Sequence, residues 1–249
     1  MRRFFLSGEI ADEMKLTGTD AHHIARVLRM AVGDNIIVAD ENERTAKAKI
    51  RSITDDAVTL TFIEYLEDNS EPTVKVRLAQ CLPKSDKMEF IVQKAVELGA
   101  AAVQPLISEN CVVKYTADKQ AKRVERWQKI AHEAAKQCKR AAVPTVEAIT
   151  TLKTFLANID EDETVLFCYE AEDGRTLRQT MAANRTEKYT ILIGPEGGFS
   201  PEEARLCQQM GAHPVSLGSR ILRTETASLA ALTMVLYARG ELGGAISAE

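Results

Sequence analysis

Two glycine-rich segments near the C-terminal end of the chain hold the residues best suited to bind a ligand. The first segment, 191–200, is Ile-Leu-Ile-Gly-Pro-Glu-Gly-Gly-Phe-Ser, and the second, 217–227, is Leu-Gly-Ser-Arg-Ile-Leu-Arg-Thr-Glu-Thr-Ala. Glycine allows backbone conformations that are closed to other residues and lets a ligand approach the main chain closely. Two such loops, each between a predicted strand and a predicted helix, are typical of a ligand crevice at the carboxyl ends of parallel strands.

The spacing of these glycines excludes two common nucleotide-binding motifs. The chain has no Gly-x-x-x-x-Gly-Lys-Ser/Thr sequence, so it has no P-loop. It also has no Gly-x-Gly-x-x-Gly followed by an acidic residue about 20 positions later, so a dinucleotide-binding fold is unsupported. A tight strand-to-helix turn without a ligand is the alternative interpretation of the first loop.

The second loop combines apolar and charged side chains. Ile221 and Leu222 lie in a loop where solvent disfavours them, and Arg220, Arg223 and Glu225 flank them. An apolar clamp beside charged groups suits a purine ring on one side and a charged substrate on the other. The alternative is that Ile221 and Leu222 simply fill the core, as such pairs commonly do.

The composition describes an ordinary globular protein. The chain has 249 residues, of which 45% are hydrophobic and 27% charged, and its formal net charge is −4. It contains no apolar run of 18 residues, so we expect no membrane span, and acidic residues come too early for a signal peptide. The five scattered cysteines favour reduced thiols in the cytoplasm over a disulfide framework or a zinc cluster.

Residues 1–70 are predicted to form mainly short strands. Asn35–Asp40, Ala46–Ile53 and Val58–Tyr65 are β-rich and are separated by turn-prone residues. One helix is predicted over Ala21–Met30, with Asp20 as its N-cap. The polar, acidic segment 67–72 ends in proline and is the predicted linker.

After residue 72 the pattern alternates between strand and helix. Strands are predicted at Val74–Cys81, Ala101–Ile107, Thr164–Tyr169, Tyr189–Ile193 and Pro214–Leu217. Helices are predicted from Asp86 to Gly99, over Lys119–Arg140, from Ser200 to Gly211 and from Thr224 to about Arg239. This alternation indicates an α/β domain with a mostly parallel sheet.

Together with three other segments, the two loops resemble the SPOUT (trefoil-knot) RNA methyltransferases. The additional segments are His22–Arg29, Lys84–Glu89, and Arg126–Ile130 with Glu133–Ala135. Within that group the chain is most similar to the 16S rRNA uracil-N3 methyltransferase family, which modifies uracil 1498. The resemblance extends from about Arg2 to Gly240, so it covers essentially the whole chain.

The resemblance implies a fold, a cofactor and an assembly. Residues 1–70 would form a PUA-like β-barrel that binds RNA, and residues 73–249 a SPOUT α/β domain with a deep trefoil knot, in a homodimer. The cofactor would be S-adenosyl-L-methionine. The family's cofactor cradle corresponds to Ile193, Gly194, Gly197, Leu217, Gly218, Ile221 and Leu222, with a third wall at Cys168, Tyr169 and Glu170.

The implied reaction is methylation of N3 of uridine 1498 in 16S rRNA, with an assembled small ribosomal subunit as the expected substrate. One alternative is a related enzyme that methylates a ribose 2′-hydroxyl. Another is a noncatalytic ribosome-assembly factor that binds RNA without transferring a methyl group.

The chemistry suggests roles for three charged residues. Uridine N3 is a poor nucleophile while it holds its proton, and Arg223 could stabilise the uracil anion through a carbonyl oxygen. Glu225 or Glu196 could accept the proton if burial raises the pKa of its carboxyl group. The alternative for both glutamates is charge compensation at a helix N-terminus.

A long basic segment is the main candidate for contact with RNA. Between Lys114 and Arg140 there are nine basic and three acidic residues. On the predicted helix, Val124, Trp127, Ala131, Ala134 and Cys138 form an apolar stripe, with Lys122, Arg126, Lys129, Lys136 and Arg140 on the other side. Such a face suits phosphates, although a solvated surface is the alternative. The expected RNA-binding residues are His22, Arg26, Arg29, Lys84, Lys87, Arg126 and Lys129. No metal site is expected, because the adjacent His22 and His23 cannot face one ion.

Overall fold

A computed structural model describes residues 1–54, 56–169 and 176–244 of the chain. The chain divides into two units. The first unit comprises Met1–Glu71 and Ala135–Val143, and the second comprises Pro72–Ala134 and Pro144–Glu249. Each unit is built around a sheet of its own.

The first unit contains a mixed sheet of five strands in the order β1-β3-β4-β5-β2. The strands are β1 (Arg3–Phe5), β2 (Glu13–Thr17), β3 (Asn35–Ala39), β4 (Thr45–Ile53) and β5 (Ala57–Leu66). Strands β1 and β3 pair in parallel, and the other pairs are antiparallel. The three predicted strands of this region are confirmed. The other two strands, β1 and β2, were not expected from the sequence.

One side of this sheet is buried, because apolar and polar residues alternate along its strands. In β2, for example, Met14 and Leu16 are buried while their neighbours are exposed. The core also contains Ile24, from the helical segment between β2 and β3. That segment begins at Gly18, earlier than predicted, as α1 (Gly18–His22), and continues as a π-helical turn (His23–Val27).

A buried ion pair holds two separate stretches of the first unit together. The Arg140 guanidinium lies 2.5 Å from the Glu71 carboxylate, and the two side chains are only 6% and 12% exposed. The same carboxylate accepts hydrogen bonds from the backbone N–H groups of Ala141 (3.0 Å) and Ala142 (3.1 Å). Burial by itself raises the pKa of Glu71, but the hydrogen bond and charge of Arg140 outweigh it and hold that pKa below its ordinary value.

The second unit contains a parallel sheet of seven strands. Six of them follow the order β12-β10-β11-β6-β7-β8, and β9 pairs with β7. The strands are β6 (Lys75–Cys81), β7 (Ala102–Ile107), β8 (Thr145–Val146), β9 (Thr150–Thr151), β10 (Glu163–Cys168), β11 (Lys188–Ile193) and β12 (His213–Val215). Every pairing among them is parallel, so the expected α/β class and mostly parallel sheet are confirmed.

In the described residues, five helices lie between these strands and a sixth follows β12. They are α2 (Lys87–Leu98), α3 (Ala117–Cys138), α4 (Leu152–Leu156), α5 (Leu177–Ala183), α6 (Pro201–Gln209) and α7 (Thr224–Ala238). The predicted start of α6 is confirmed, because Ser200 and Glu203 form a reciprocal capping box with Pro201 between them. Helix α2 ends at Gly99 in the left-handed region (φ 108°), as predicted.

The end of α3 differs from the prediction. The helix stops at Cys138, and Lys139 adopts a left-handed backbone (φ 63°), so Arg140 lies beyond the helix. The Lys136 side chain forms an ion pair with Asp20 and is only 9% exposed. Lys136 and Arg140 therefore do not extend a solvent-facing basic surface, as the helical spacing indicated, but form ion pairs within the first unit.

The ion pair of Arg140 generates a stability prediction. Replacing Arg140 with Met leaves the Glu71 carboxylate buried without its cation, which costs about 3–5 kcal/mol. The matched control is Arg51→Met, which breaks an exposed pair with Glu13 in the same unit and costs about 1 kcal/mol or less. In urea unfolding of the full chain, followed by circular dichroism, R140M should lower the urea concentration at the unfolding midpoint much more than R51M does.

The effect of R140M should also depend on pH. Because the pKa of Glu71 is lowered in the folded protein, its ionised form contributes stability above an unfolded pKa of about 4.3, and this contribution is lost on acidification. The difference between wild type and R140M should therefore shrink as the pH falls below 4. Equal midpoints for R140M and R51M at pH 7 would contradict this account.

Candidate functional site

The first glycine-rich loop connects β11 to α6 and is closely packed. A Cβ atom on Gly194 would lie 2.9 Å from the ring of Phe199, and one on Gly197 would lie 3.1 Å from Cβ of Asn110. The Asn110 side-chain amide donates to the carbonyl oxygens of Gly197 (3.1 Å) and Gly198 (3.2 Å). A larger residue at position 194 would therefore force Phe199 to shift, and one at position 197 would make a tight contact with Asn110.

The second glycine-rich loop connects β12 to α7 and exposes an apolar side chain. Gly218 has a φ of 123°, a conformation that favours glycine. Ile221 is 87% exposed, and Leu222 is half-buried. The alternative in which this pair fills the core is therefore not what the structure has, and Ile221 is free to cover a ligand.

The two loops border one cleft of about 440 Å³. It lies at the carboxyl ends of the three neighbouring strands β10, β11 and β12, where ligands bind in open parallel sheets. The loops contribute main-chain groups and small residues, together with the apolar side chains Ile193, Leu217, Ile221 and Leu222. The cleft thus combines apolar side chains with charged ones and with peptide groups within reach of a ligand.

Most of the predicted cradle residues line this cleft. Those that do are Ile193, Gly194, Leu217, Gly218, Ile221 and Leu222, together with Cys168 and Tyr169 on the expected third wall. Gly197 does not line it and instead packs against Asn110. Glu170 lies outside the described residues. Of the expected catalytic residues, Arg223 and Glu196 line the cleft, whereas Glu225 lies just behind it.

Three aromatic rings, of which Phe167 and Phe199 are buried, pack together beside the cleft. Phe167 stacks on Tyr169 with centroids 5.2 Å apart, and its ring meets the edge of Phe199 at 4.8 Å. Burial raises the pKa of the neighbouring Cys168 thiol to about 12. Cys168 is therefore a protonated wall residue at neutral pH, not a nucleophile.

A buried chain of hydrogen bonds joins the first loop to the start of α7. The Thr224 hydroxyl donates to the Gly194 carbonyl oxygen at 2.7 Å. The Gln80 side-chain amide donates to the Thr224 hydroxyl oxygen (2.9 Å) and to the Cys81 carbonyl (2.8 Å), and its own oxygen accepts from Ser228. All three side chains are buried. This chain fixes the direction of the Gly194 peptide at the edge of the cleft.

Gln80 and Asn110 were not among the site residues predicted from the sequence. A usable signal did exist for Gln80, because it is an amide at the carboxyl end of a strand that is otherwise apolar near that end. Asn110 gave no such signal, since its role depends on the contact between two loops distant in sequence.

Three charged side chains meet at the side of the cleft. The Lys87 ammonium lies 3.0 Å from a carboxylate oxygen of Glu196 and 3.0 Å from one of Glu225. Lys87 was predicted from the sequence to contact RNA. In the structure it lines the cleft and forms ion pairs with both glutamates.

The expected proton acceptors do not have raised pKa values. Burial by itself raises the pKa of Glu196 and Glu225, but hydrogen bonds from their own backbone N–H groups and from Lys87 outweigh it. The pKa of each carboxyl therefore lies below its ordinary value. The condition on which their role as bases rested, a pKa raised by burial, is not met. Glu225 also lies in the first turn of α7, as the alternative interpretation expected.

The other residues expected to contact RNA are on the surface. His22, Arg26 and Arg29 are exposed on the helical segment of the first unit or just after it. In the second unit Lys84 is exposed, Arg126 is 60% exposed and pairs with Glu89, and Lys129 is 74% exposed and pairs with Glu125. Surface pairs of this kind are weak, so both side chains can exchange their carboxylate partner for a phosphate.

Residues 1–54, 56–169 and 176–244 contain neither a cluster of metal ligands nor a helix that could span a membrane. In these ranges no group of three or more His, Cys, Asp and Glu side chains could hold a metal ion. None of the helices in the same ranges is both long enough and apolar enough to cross a membrane.

Comparison with known proteins shows what this chain is similar to. Residues 69–236 match the RNA methyltransferase domain family, and residues 16–63 match the RNA methyltransferase PUA domain. Ribosomal RNA small subunit methyltransferase E of Bacillus subtilis is 37% identical over 248 residues, which cover 95% of this chain and 96% of the relative. The protein of the same name from Synechocystis is 35% identical and is covered over 71% of its length.

Solved structures agree with this assignment. Ribosomal RNA small subunit methyltransferase E from Neisseria gonorrhoeae, bound to S-adenosyl methionine, has a TM-score of 0.87 and 30% identity, and the match covers 95% of this chain and 97% of that one. A Legionella pneumophila protein in complex with the same cofactor has a TM-score of 0.85 and 33% identity at the same coverage. The chain therefore belongs to the ribosomal RNA small subunit methyltransferase E family of RNA methyltransferases.

Proposed function

We propose that this chain transfers a methyl group from S-adenosyl-L-methionine to N3 of uridine 1498 in 16S rRNA. The observation that carries the proposal is the cleft between the two glycine-rich loops, at the carboxyl ends of three parallel strands. It is supported by the names of relatives at 37% and 35% identity and by the cofactor bound in two similar structures.

The residues of the cleft fit this cofactor. An adenine ring needs apolar surface on its faces and main-chain groups at its edge, and Ile221, Leu222 and Leu217 lie beside glycine peptides. Gly194 lines the cleft without a side chain, so its main chain can meet the cofactor directly. We assign the cradle to Ile193, Gly194, Leu217, Gly218, Ile221 and Leu222, and give Gly197 a supporting role through Asn110.

The residues of this chain must then prepare the uridine. The cofactor, when bound, supplies a methyl group that is already activated by a sulfonium. Arg223 is exposed at the N-cap of α7 and lines the cleft. We assign it the role of holding a uracil carbonyl oxygen, where its positive charge stabilises the anion formed when N3 loses its proton. The rest of the rate acceleration comes from holding N3 in line with the methyl group and excluding water.

Contacts to RNA are assigned to exposed basic residues of each unit. In the first unit, which we propose to be a PUA-like β-barrel over residues 1–70, these are His22, Arg26 and Arg29. In the second, over residues 73–249, they are Lys84, Arg126 and Lys129. The formal net charge of −4 favours a structured partner with defined contacts over nonspecific binding. We therefore propose the assembled small ribosomal subunit in the cytoplasm as the substrate.

We further propose that the second unit is knotted and that two chains associate. The non-sequential strand order β10-β11-β6 places β11 at the centre of the sheet, as threading of the chain would require. Helix α7 packs against α2, yet Met234 (41% exposed) and Tyr237 (61%) on α7 and Phe90 (46%) on α2 face outward. Apolar side chains exposed in this way are typical of an interface.

The proposed function is tested by methyl transfer to small ribosomal subunits from a strain that lacks this protein. Labelled S-adenosyl-L-methionine is supplied, the RNA is digested, and the nucleosides are identified by mass spectrometry. We expect labelled 3-methyluridine, and no label in subunits from the wild-type strain, whose site is already modified. A ribose-methylated product would favour the alternative 2′-O-methyltransferase. Cofactor binding without transfer to subunits or to naked rRNA would mean that the substrate is a different RNA, and a chain that bound no cofactor would favour the noncatalytic assembly factor.

Replacing Arg223 with Ala should lower turnover much more than cofactor affinity. Loss of one charge-stabilising donor typically lowers kcat by about 100- to 1,000-fold, while the dissociation constant for S-adenosylhomocysteine should change little. Arg205→Ala is the control, because Arg205 is exposed on α6 and pairs with Glu202. Unchanged turnover in R223A would remove Arg223 from the mechanism.

Replacing Thr224 with Val should weaken cofactor binding by breaking the hydrogen-bond chain at the edge of the cleft. The substitution keeps the shape but removes the hydroxyl that joins Gln80 to the Gly194 carbonyl. Leaving such buried groups unpaired costs about 1–3 kcal/mol, so both the melting temperature and the affinity for S-adenosylhomocysteine, measured by calorimetry, should fall. Thr226→Val, on the exposed side of the same helix, should resemble wild type. If T224V binds as tightly as T226V, the hydrogen-bond chain does not shape the cleft.

A further inference from the structure

The ion triad of Lys87, Glu196 and Glu225 connects three separate segments. Lys87 is the first residue of α2, Glu196 belongs to the first glycine-rich loop, and Glu225 lies in the first turn of α7. The three side chains are between 20% and 27% exposed, so the contacts are partly shielded from solvent. Partly buried charges of this kind interact more strongly than fully exposed ones.

The turn before α2 is shaped to present two groups to Glu196. The backbone N–H of Lys84 lies 3.2 Å from each carboxylate oxygen of Glu196, and three residues later the Lys87 ammonium meets the same carboxylate. Ser85, between them, adopts a left-handed backbone with φ 58°. A left-handed conformation is unfavourable for a residue other than glycine, so the surrounding contacts must maintain it.

The charges of the triad are complementary only while Lys87 is present. The two carboxylate oxygens bound by Lys87 are no more than about 6 Å apart, because each is 3.0 Å from the same nitrogen. Without the ammonium, two like charges would face each other across the junction between the first loop and α7. Arg223 is the other cation whose charge acts on Glu225, and it is exposed to the cleft.

We propose that Lys87 is a positioning residue that holds the first glycine-rich loop to the start of α7 and thereby sets the width of the cofactor cleft. In this role Glu196 and Glu225 are anchors of the cleft and not proton acceptors, and Lys87 does not contact RNA phosphates. The inference rests on the proposed function, since it assumes that the cleft takes S-adenosyl-L-methionine.

The test measures binding of S-adenosylhomocysteine by calorimetry, together with kcat at saturating cofactor and RNA. Lys87→Met should weaken binding by tenfold or more, while kcat changes by less than threefold. Lys87→Arg, which keeps the charge, should restore most of the affinity. Lys94→Met is the matched control. Lys94 lies on the same helix, and its ion pair is with Glu97, one turn further along that helix.

A charge-balanced variant separates positioning from a general loss of structure. Combining Lys87→Met with Glu196→Gln and Glu225→Gln removes the repulsion that Lys87→Met creates, so the triple variant should bind S-adenosylhomocysteine more tightly than K87M. If K87M does not fold, K87R and the triple variant make the same distinction. K87R should bind S-adenosylhomocysteine near the wild-type affinity, whereas the triple variant, in which no ion pair of the triad holds the first loop to α7, should bind it more weakly than K87R.

Three results would overturn the proposal. The first is wild-type affinity in K87M, and the second is a loss of kcat with unchanged affinity, which would place Lys87 in the reaction itself. The third is a loss of RNA affinity alone, which would make Lys87 a phosphate contact. If the wild-type chain binds neither S-adenosyl-L-methionine nor S-adenosylhomocysteine, the proposed function itself fails, and this result is distinguishable because it appears before any substitution is made.

Discussion

The direction of a single peptide group, that of Gly194, governs the geometry of the cleft. This peptide directly follows strand β11, and its carbonyl oxygen accepts a hydrogen bond from the buried hydroxyl of Thr224. Gln80 holds that hydroxyl from the neighbouring strand β6, and Ser228 holds Gln80 from α7. A buried polar network of this kind is stabilising only when each member has its partners, so it permits one arrangement of strand, loop and helix. This hydrogen-bond network therefore fixes the position of the first glycine-rich loop relative to the start of α7, where the second loop ends.

The charged residues of the cleft have two different roles, which are to hold the cleft together and to stabilise a negative charge on the substrate. On one side the ion triad keeps Glu196 and Glu225 ionised, with pKa values below the ordinary range, so both are weak bases. On the other side Arg223 is exposed and can meet a developing negative charge. A site of this form favours the nucleophilic anion by stabilising it, rather than by a strong base placed beside it. This suits an acceptor such as uridine N3, whose proton is weakly acidic and whose anion spreads its charge onto carbonyl oxygens.

Local sequence signals were sufficient for much of this structure. The β-rich stretches of the first unit, the capping box at Ser200, the glycine that ends α2 and both loops were predictable, because each depends on residues close in sequence. The distribution of charge was less predictable. Helical spacing placed Lys136 and Arg140 on a solvent face, but Asp20 and Glu71, distant in the chain, pair with them in the first unit. The same limit applies to Lys87, whose two partners are each more than 100 residues away.

The most direct test of this account is a crystal structure of the chain with S-adenosylhomocysteine. We expect the ligand between residues 194–200 and 217–223, with its adenine against Ile221 and Leu222 and its edge on main-chain groups of the two loops. The Thr224 hydroxyl should remain on the Gly194 carbonyl, and Lys87 between its two glutamates. Ligand density at any other place, or a cleft without ligand under conditions where calorimetry shows tight binding, would contradict the central claim that these two loops form the cofactor site.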